Sequence, residues 1–142
     1  MTRARAKKPT PAVRPAALLA KARAMRARAY APYSHYTVGA ALLAGSGKVY
    51  GGCNVENASY GLAICAERSA VAQAVAQGET TLLAIAISAA GPEPVPPCGM
   101  CRQTLAELLP PDAPVLCEND RGARARFTVG ELLPHAFTKR FF

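Results

Sequence analysis

Three cysteines and one glutamate constrain this fold most strongly, because they fall in two segments that must meet at one point. Cys65 lies two residues before Glu67, and Cys98 lies 31 residues after Glu67, directly behind Pro97 and three residues before Cys101. Both segments stand at predicted helix starts, where the helix dipole and free backbone N–H groups stabilise thiolates. Three thiolate ligands leave the fourth corner of a tetrahedral zinc ion open, as in catalytic rather than structural zinc sites. The spacing therefore predicts one open Zn²⁺ site per chain, held by Cys65, Cys98 and Cys101.

Glu67 is the residue that a purely structural role explains least well. Glutamate is common in a first helical turn because the helix dipole favours it there. However, two residues after a zinc ligand its carboxylate can reach the open corner, take a proton from water, and deliver it to a ring nitrogen and a departing amine. A free glutamate followed by Pro-Cys-x-x-Cys is also the described signature of zinc-dependent base deaminases. We therefore predict that Glu67 is the catalytic acid–base.

Two arginines are predicted to support the sulfur ligands. Three thiolates on Zn²⁺ leave a net charge of −1, which works against the acidification of a bound water. Arg68 lies three residues after Cys65, and Arg102 directly follows Cys101. Both are placed to donate hydrogen bonds to the sulfurs from the shell around the ligands.

Other interpretations of the cysteines remain open at this stage. A structural zinc site would need a fourth ligand, for which Cys53 and Cys117 are candidates, although both fall in predicted strands and look like small buried hydrophobic residues. A lone C-x-x-C can also be a redox pair. His35 and His135 are isolated and are predicted to be surface or packing residues. The structural site ranks second among these interpretations, and the redox pair third.

The net charge of +8 belongs to the N-terminal part of the chain. Residues 1–29 carry nine Lys or Arg and no acid, whereas residues 30–142 carry eight basic and nine acidic residues, so that the remainder has a net charge of −1. We predict a disordered basic arm over 1–14 and one folded domain over 15–142. A nucleic-acid partner is not favoured, because the arm has no interleaved aromatic residues and no basic stripe lies outside it.

Composition predicts a cytoplasmic location and excludes a membrane protein. No apolar run approaches the length that spans a bilayer, and no secretory signal is recognisable. The five cysteines are an odd number without a disulfide-like spacing, which favours a reducing compartment.

Hydrophobic periodicity and turn residues predict alternating helices and strands. The predicted fold is α/β, a single-domain three-layer sandwich with a mixed sheet of about five strands and helices on both faces. The predicted elements are a helix from 15 to about 30, strands 36–43 and 49–53 with a turn between them, a loop over 54–61, a helix over 66–77, a strand over 82–89, a proline-dense loop over 91–97, a helix over 99–109, short strands over 115–117 and 125–129, and a final short helix opened by a capping box of Thr128 and Glu131.

Beyond the zinc motif, the chain resembles the small, homotetrameric, zinc-dependent cytidine deaminases. The resemblance runs from about residue 30 to residue 137. Its carriers are the blocks APYSHYTVGAAL (31–42), GCNVENASYGL (52–62), CAERSA (65–70), PCGMCRQTLAEL (97–108) and TVGELLPHAF (128–137). It implies hydrolytic deamination of cytidine and 2′-deoxycytidine, a step of pyrimidine salvage, by a tetramer whose subunits share active sites.

The resemblance also implies roles for individual residues in binding the nucleoside. Asn54 and Glu56 match a pair that hydrogen-bonds a ribose hydroxyl, and Tyr36 stands where the family usually has an aromatic residue, often Phe, against the pyrimidine. Ala66 matches a backbone contact to the base. Three further residues, Ala58, Tyr60 and Phe137, match residues that reach into a neighbouring subunit's site.

Three alternatives to a plain cytidine deaminase remain. A deaminase of a related aminopyrimidine nucleoside antibiotic would share the metal motif, although the Asn54 and Glu56 block favours a plain nucleoside. A nucleic-acid editor would need a groove for flanking nucleotides. A zinc-stapled binding module would hold zinc and release no ammonia.

Overall fold

A computed structural model describes residues 6–142 of the chain, and residues 1–5, which belong to the predicted basic arm, lie outside it. Residues 6–14 contain no helix or strand, and Val13 packs against the hydrophobic cluster beneath the first helix. The regular elements are α1 (Pro15–Arg26), β1 (Val38–Ala44), β2 (Val49–Cys53), α2 (Ala66–Ala76), β3 (Leu82–Ala89), α3 (Gly99–Leu108), β4 (Pro114–Glu118), β5 (Arg124–Thr128) and α4 (Val129–Leu132), with 3₁₀ turns at Tyr60–Leu62 and Lys139–Phe141.

The five strands form one mixed sheet in the order β2-β1-β3-β4-β5. The strand β3 runs parallel to β4, and the other neighbouring pairs are antiparallel. Parallel neighbours require a crossover connection, and α3 provides it between β3 and β4. The predicted three-layer α/β sandwich with a five-stranded mixed sheet is confirmed.

Each face of the sheet has its own hydrophobic core. On one face, Leu18, Leu19 and Ala22 of α1 pack against alanines and leucines of the central strands. On the other face, α2 and α3 cover a larger cluster that includes Ile85 and Ile87 of β3. The nearly continuous apolar sequence of β3 predicted a strand covered on both faces, and the structure confirms it.

One edge of the sheet positions the functional residues. At this edge β2 and β3 end and β1 begins, because Gly39 near the start of β1 pairs with both Cys53 and Ser88. The connections that leave the ends of β2 and β3 lead to the N-termini of α2 and α3. The two predicted cysteine-bearing helix starts therefore lie beside each other at a single edge.

Two element boundaries differ from prediction by two or more residues, and backbone pairing explains the first of them. The first helix ends at Arg26 rather than near residue 30, because Tyr30 leaves the helix and pairs with the segment after β2. The Tyr30 N–H donates to the Asn54 carbonyl, and the Glu56 N–H donates to the Tyr30 carbonyl. The first strand begins at Val38 rather than at residue 36.

Other local predictions agree with the structure. The capping box that opens α4 is present in both directions, between the side chain of Thr128 and the N–H of Glu131 and between the Glu131 carboxylate and the Thr128 N–H. The predicted loop over 54–61 contains the start of a 3₁₀ turn that the sequence did not reveal. None of the helices within residues 6–142 combines the length and the apolar character that a membrane crossing requires.

The close approach of β2 and α2 depends on Gly52, which generates a first prediction. A Cβ on Gly52 would overlap the carbonyl oxygen of Ala66 and the backbone nitrogen of Ala70. Gly52→Ala should therefore push α2 away from the sheet and lower the free energy of unfolding by about 1–3 kcal/mol, measured by denaturant titration. Because Cys65 directly precedes α2 and moves with its first turn, this variant should also bind zinc more weakly.

Gly39→Ala provides the matched control for this prediction. A Cβ on Gly39 would overlap the backbone of Ala22 and Arg26 in α1, on the opposite face of the sheet. This variant should lose comparable stability yet keep the zinc affinity of the wild type. Equal loss of zinc affinity in both variants would contradict a specific dependence of the metal site on Gly52.

Candidate metal centre

The three predicted zinc ligands stand at the N-termini of two helices. Cys65 is the residue that caps α2, and Cys98 caps α3, each with an extended backbone. Cys101 lies in the first turn of α3 and is fully buried. The carbonyls of Cys65 and Cys98 accept the first helical hydrogen bonds, from Ser69 and Arg102. The backbones of both cap residues are therefore fixed relative to their helices, and the first N–H groups of each helix have no partner within the helix.

The sulfur positions fit a zinc ion. The sulfurs of Cys65 and Cys98 are 3.8 Å apart, and those of all three cysteines lie within 4.8 Å of one another. An ideal tetrahedral site with Zn–S bonds of about 2.3 Å separates its sulfurs by about 3.8 Å. All five cysteines of the chain are free thiols, and Cys53 and Cys117 lie outside the cluster. A four-cysteine structural site is therefore not formed.

A nearby positive charge is needed to stabilise this cluster as thiolates. Burial raises the pKa of Cys101 far above its usual value, and the neighbouring Glu67, Cys65 and Cys98 raise it further. A divalent cation bound by the three sulfurs reverses this balance, because coordination deprotonates a thiol outright. The donor set is thus one that a soft divalent ion such as zinc completes.

Glu67 is almost completely buried, with 5% of its surface exposed, in the first turn of α2. Burial raises the pKa of its carboxyl group, against smaller lowering effects from its own backbone N–H, the Cys101 thiol and Arg68. A buried carboxyl whose pKa is raised exchanges protons more readily near neutral pH than an exposed one. The structure thus places an acid–base group beside the sulfur cluster.

The two predicted supporting arginines have different surroundings. The Arg68 guanidinium donates from Nη2 to the sulfur of Cys65 at 3.7 Å, as the sequence predicted. Arg102 instead donates from Nε to the carbonyl of Pro97 at 2.7 Å and from Nη1 to that of Leu132 at 3.0 Å. The predicted donation from Arg102 to a sulfur is therefore replaced by contacts to carbonyls. These contacts tie α4 to the residue before Cys98.

A cavity of about 280 Å³ opens beside the cysteines at this edge of the sheet. Its walls are mostly apolar and contain few polar groups, which is typical of sites for small molecules. Two larger depressions on the described part of the chain lie away from the cysteine cluster. The lining residues are Tyr36, Val38, Asn54, Val55, Glu56, Ala63, Ile64, Cys65, Ala66, Glu67, Ile87, Val95, Pro96 and Cys98.

Asn54 and Glu56 both line the cavity, and both also hold its wall together. The side chain of Asn54 accepts from the Val38 N–H at 2.8 Å and donates to the Tyr36 carbonyl at 2.8 Å. The carboxylate of Glu56 accepts from the backbone N–H groups of Tyr33 and Ser34. Hydrogen bonds from the hydroxyl and backbone of Ser34 lower the pKa of Glu56, so that it stays ionised at neutral pH.

Three of the residues predicted to bind the nucleoside lie outside this cavity. Tyr60 is 78% exposed and contacts the ring of Tyr33 edge-on, and Ala58 lies in the same exposed loop. Phe137 is 61% exposed and stacks on Phe141 near the C-terminus. Within a single chain these residues do not reach the cysteine cluster, which is compatible with a role at another subunit's site.

Sequence reasoning missed several residues of the site. Val95 and Pro96 belong to the predicted proline-dense loop, but no role in the site followed from its sequence. Ile64 joins the cavity because it pairs with Val55 in an isolated bridge. The Ser34 hydroxyl contacts Glu56 from 22 residues away, a separation at which no local sequence pattern signals contact.

Comparison with known proteins agrees with this geometry. Residues 14–117 match the family model for the "cytidine and deoxycytidylate deaminase zinc-binding region". A cytidine deaminase of Halalkalibacterium halodurans is 51% identical over 121 residues, 85% of this chain and 92% of that protein. One from Sporosarcina psychrophila is 46% identical, covering 86% of this chain and 90% of that protein. The chain belongs to the cytidine and deoxycytidylate deaminase family.

The family's three-dimensional structure matches as well. A crystal structure of cytidine deaminase from Burkholderia pseudomallei superimposes with a TM-score of 0.85 at 47% identity, covering 88% of this chain and 100% of that one. The segment that matches the zinc-binding family model contains all three clustered cysteines and Glu67. As a member of this family, the chain is a zinc-dependent hydrolase, with Cys65, Cys98 and Cys101 placed to bind the metal.

Removal of one clustered thiol generates a second prediction. Cys101→Ala should abolish stoichiometric zinc binding, because two thiolates hold the ion far more weakly than three. The matched control is Cys117→Ala, which removes another fully buried thiol whose pKa burial raises to about 12 but which lies outside the cluster. Zinc content measured by elemental analysis should remain about one per chain in the control. Zinc loss in both variants would count against the assignment of the ligands.

Proposed function

We propose that this chain catalyses the hydrolytic deamination of cytidine, and of 2′-deoxycytidine, to the corresponding uridine nucleoside and ammonia. The observation that carries the proposal is the buried Glu67 carboxyl beside three converging sulfurs at the end of an apolar cavity. Membership of the deaminase family and the relatives named cytidine deaminase support the choice of substrate.

Glu67 is the group that moves protons in the proposed reaction. When bound by the three cysteines, zinc supplies a Lewis acid that lowers the pKa of water and so makes a nucleophile available at neutral pH. Glu67 takes the proton that the attacking water gives up and delivers it to N3 of the base, while C4 becomes tetrahedral. Glu67 then takes the proton of the new C4 hydroxyl and passes it to the exocyclic nitrogen. The C4–N bond breaks, ammonia leaves, and C4 becomes a carbonyl while N3 keeps its proton, as in uridine.

The cavity walls orient the nucleoside for this proton transfer. The ring of Tyr36 and the apolar side chains near it pack against the pyrimidine, and the backbone of Ala66 contacts the polar edge of the base. The side-chain oxygens of Asn54 and Glu56 accept a hydrogen bond from a sugar hydroxyl. They use lone pairs that their hydrogen bonds to the cavity wall leave free. Arg68 offsets the negative charge of the thiolates through its contact with Cys65.

The proposal includes a homotetramer with one zinc ion per subunit and with active sites shared between chains. Ala58, Tyr60 and Phe137 are exposed on this chain and would complete the sites of neighbouring subunits. The free thiols of the site also require a reducing environment, so that we place the protein in the cytoplasm.

The proposed activity is tested directly by an ammonia-release or ultraviolet assay with zinc quantified in the same sample. Zinc-loaded protein should convert cytidine and deoxycytidine, and cytidine monophosphate provides a phosphorylated comparison. Turnover of a modified aminopyrimidine nucleoside without turnover of cytidine would overturn the substrate assignment. Bound zinc without ammonia release from any cytosine nucleoside would instead indicate a binding module.

Glu67→Gln generates the third prediction. The amide is nearly isosteric but cannot carry the transferred proton, so that kcat should fall by at least about 10²-fold, in the range expected for loss of a general acid–base. Zinc content should remain at the wild-type level, because Glu67 is not among the clustered ligands. Near-normal turnover in this variant would contradict the assigned role.

Shared active sites generate the fourth prediction, which uses mixed assemblies. Chains with Glu67→Gln lack the proton shuttle, and chains with Phe137→Ala lack the aromatic group proposed to act in a neighbouring site. Each variant alone should be nearly inactive. Co-expressed chains should recover a measurable fraction of wild-type activity, because some sites then combine Glu67 of a Phe137→Ala chain with Phe137 of a Glu67→Gln chain. Light scattering should give about 60 kDa for a tetramer of 14.9 kDa chains. No recovery on mixing, or an active monomer, would contradict shared sites.

A further inference from the structure

The backbone of Tyr36 is held in place by side chains rather than by the sheet. Tyr36 lies two residues before β1 begins, and its ring lines the cavity. Its N–H donates to the hydroxyl of Ser34 at 3.0 Å, and its carbonyl accepts from the side chain of Asn54 at 2.8 Å. The Asn54 contact is part of a cavity wall already described. The contact with Ser34 is different, because the proposed reaction assigns no role to this serine.

The Ser34 hydroxyl connects Tyr36 to Glu56. Its proton must go to the Glu56 carboxylate, at 2.5 Å, because the Tyr36 N–H can only donate to the same oxygen. Donation to a charged acceptor polarises the hydroxyl and makes its oxygen a better acceptor. The two bonds therefore strengthen each other, and the position of the Glu56 carboxylate is transmitted to the backbone of Tyr36.

The backbone between Ser34 and Tyr36 has an unusual conformation that the hydrogen bonds of Ser34 help to maintain. His35, the residue between them, has a φ of 57°, in the left-handed region that non-glycine residues rarely occupy. Such a conformation persists only when its surroundings fix it. Here the N–H of His35 donates to the Ala31 carbonyl, and the bonds of Ser34 fix the residues on both sides.

We propose that Ser34 is a positioning residue for the deaminase reaction, which sets the orientation of the Tyr36 ring through its paired hydrogen bonds to Glu56 and to the Tyr36 backbone. This inference rests on the proposed function, because the ring matters to catalysis only if it packs against the substrate base. Ser34 itself does not line the cavity next to the sulfurs. Its effect should therefore fall on substrate binding rather than on proton transfer.

The chain contains a matched copy of this arrangement away from the site. In the turn between β1 and β2, the Ser46 hydroxyl donates to Glu79, and the Lys48 N–H donates to the Ser46 hydroxyl at 3.3 Å. The chemical groups and their two-residue spacing are the same, and both serines are exposed. Ser46→Ala thus removes an equivalent pair of bonds without touching the cavity.

The test compares steady-state kinetics of Ser34→Ala, Ser34→Thr and Ser46→Ala with cytidine. Ser34→Ala should raise KM about tenfold, the factor that loss of one hydrogen bond to a charged group corresponds to, with kcat within about threefold of wild type. Ser34→Thr keeps the hydroxyl and should restore KM to within about threefold. Ser46→Ala should leave KM unchanged. A wild-type KM for Ser34→Ala, an equal rise in Ser46→Ala, or no rescue by threonine would overturn the inference.

A second measurement does not depend on turnover. Hydrogen–deuterium exchange of the Tyr36 amide in the zinc-loaded protein should accelerate about tenfold in Ser34→Ala and stay at the wild-type rate in Ser46→Ala. If the wild-type protein deaminates no nucleoside, the proposed function fails, while this exchange rate still decides whether Ser34 holds Tyr36. Unchanged Tyr36 exchange in Ser34→Ala would overturn the positioning role in either case.

Discussion

The need to hold negative charge at one point governs the organisation of this molecule. Three sulfurs converge within 4.8 Å of one another beside a buried carboxyl, and such groups repel one another unless positive charge is brought to them. Two helix N-termini and Arg68 supply part of this positive charge. The zinc ion that members of this family bind supplies the rest. The sheet serves this requirement, because the ends of β2 and β3 lie at one edge and lead to these two helix N-termini.

Local sequence patterns were sufficient to predict most of the fold. Apolar periodicity located α1, a run of helix-favouring residues stopped by Gly78 located α2, and the continuous apolar run of β3 indicated a strand covered on both faces. The capping box at Thr128 predicted the start of α4 because its two bonds join residues only three positions apart. Likewise the cysteine spacing predicted the metal cluster, since ligands in the first turn of a helix have fixed relative positions.

Contacts between distant segments could not be predicted in the same way. The end of α1 at Arg26 depends on pairing between Tyr30 and Val55, and the contact between Ser34 and Glu56 joins loops without any periodic pattern. Arg102 illustrates the limit at a single residue. Its position next to Cys101 suggested a sulfur contact, whereas the direction of its side chain on α3 leads it to the carbonyls of Pro97 and Leu132.

The two walls of the cavity have a further consequence for how a small molecule is received. One wall contains Val95 and Pro96 from a segment rich in proline, and the other is the Tyr36 segment with its many hydrogen bonds to Asn54 and Glu56. Both walls lose their conformational freedom when the chain folds rather than when a ligand arrives. Little ordering entropy of these two walls then remains to oppose the association of a small molecule.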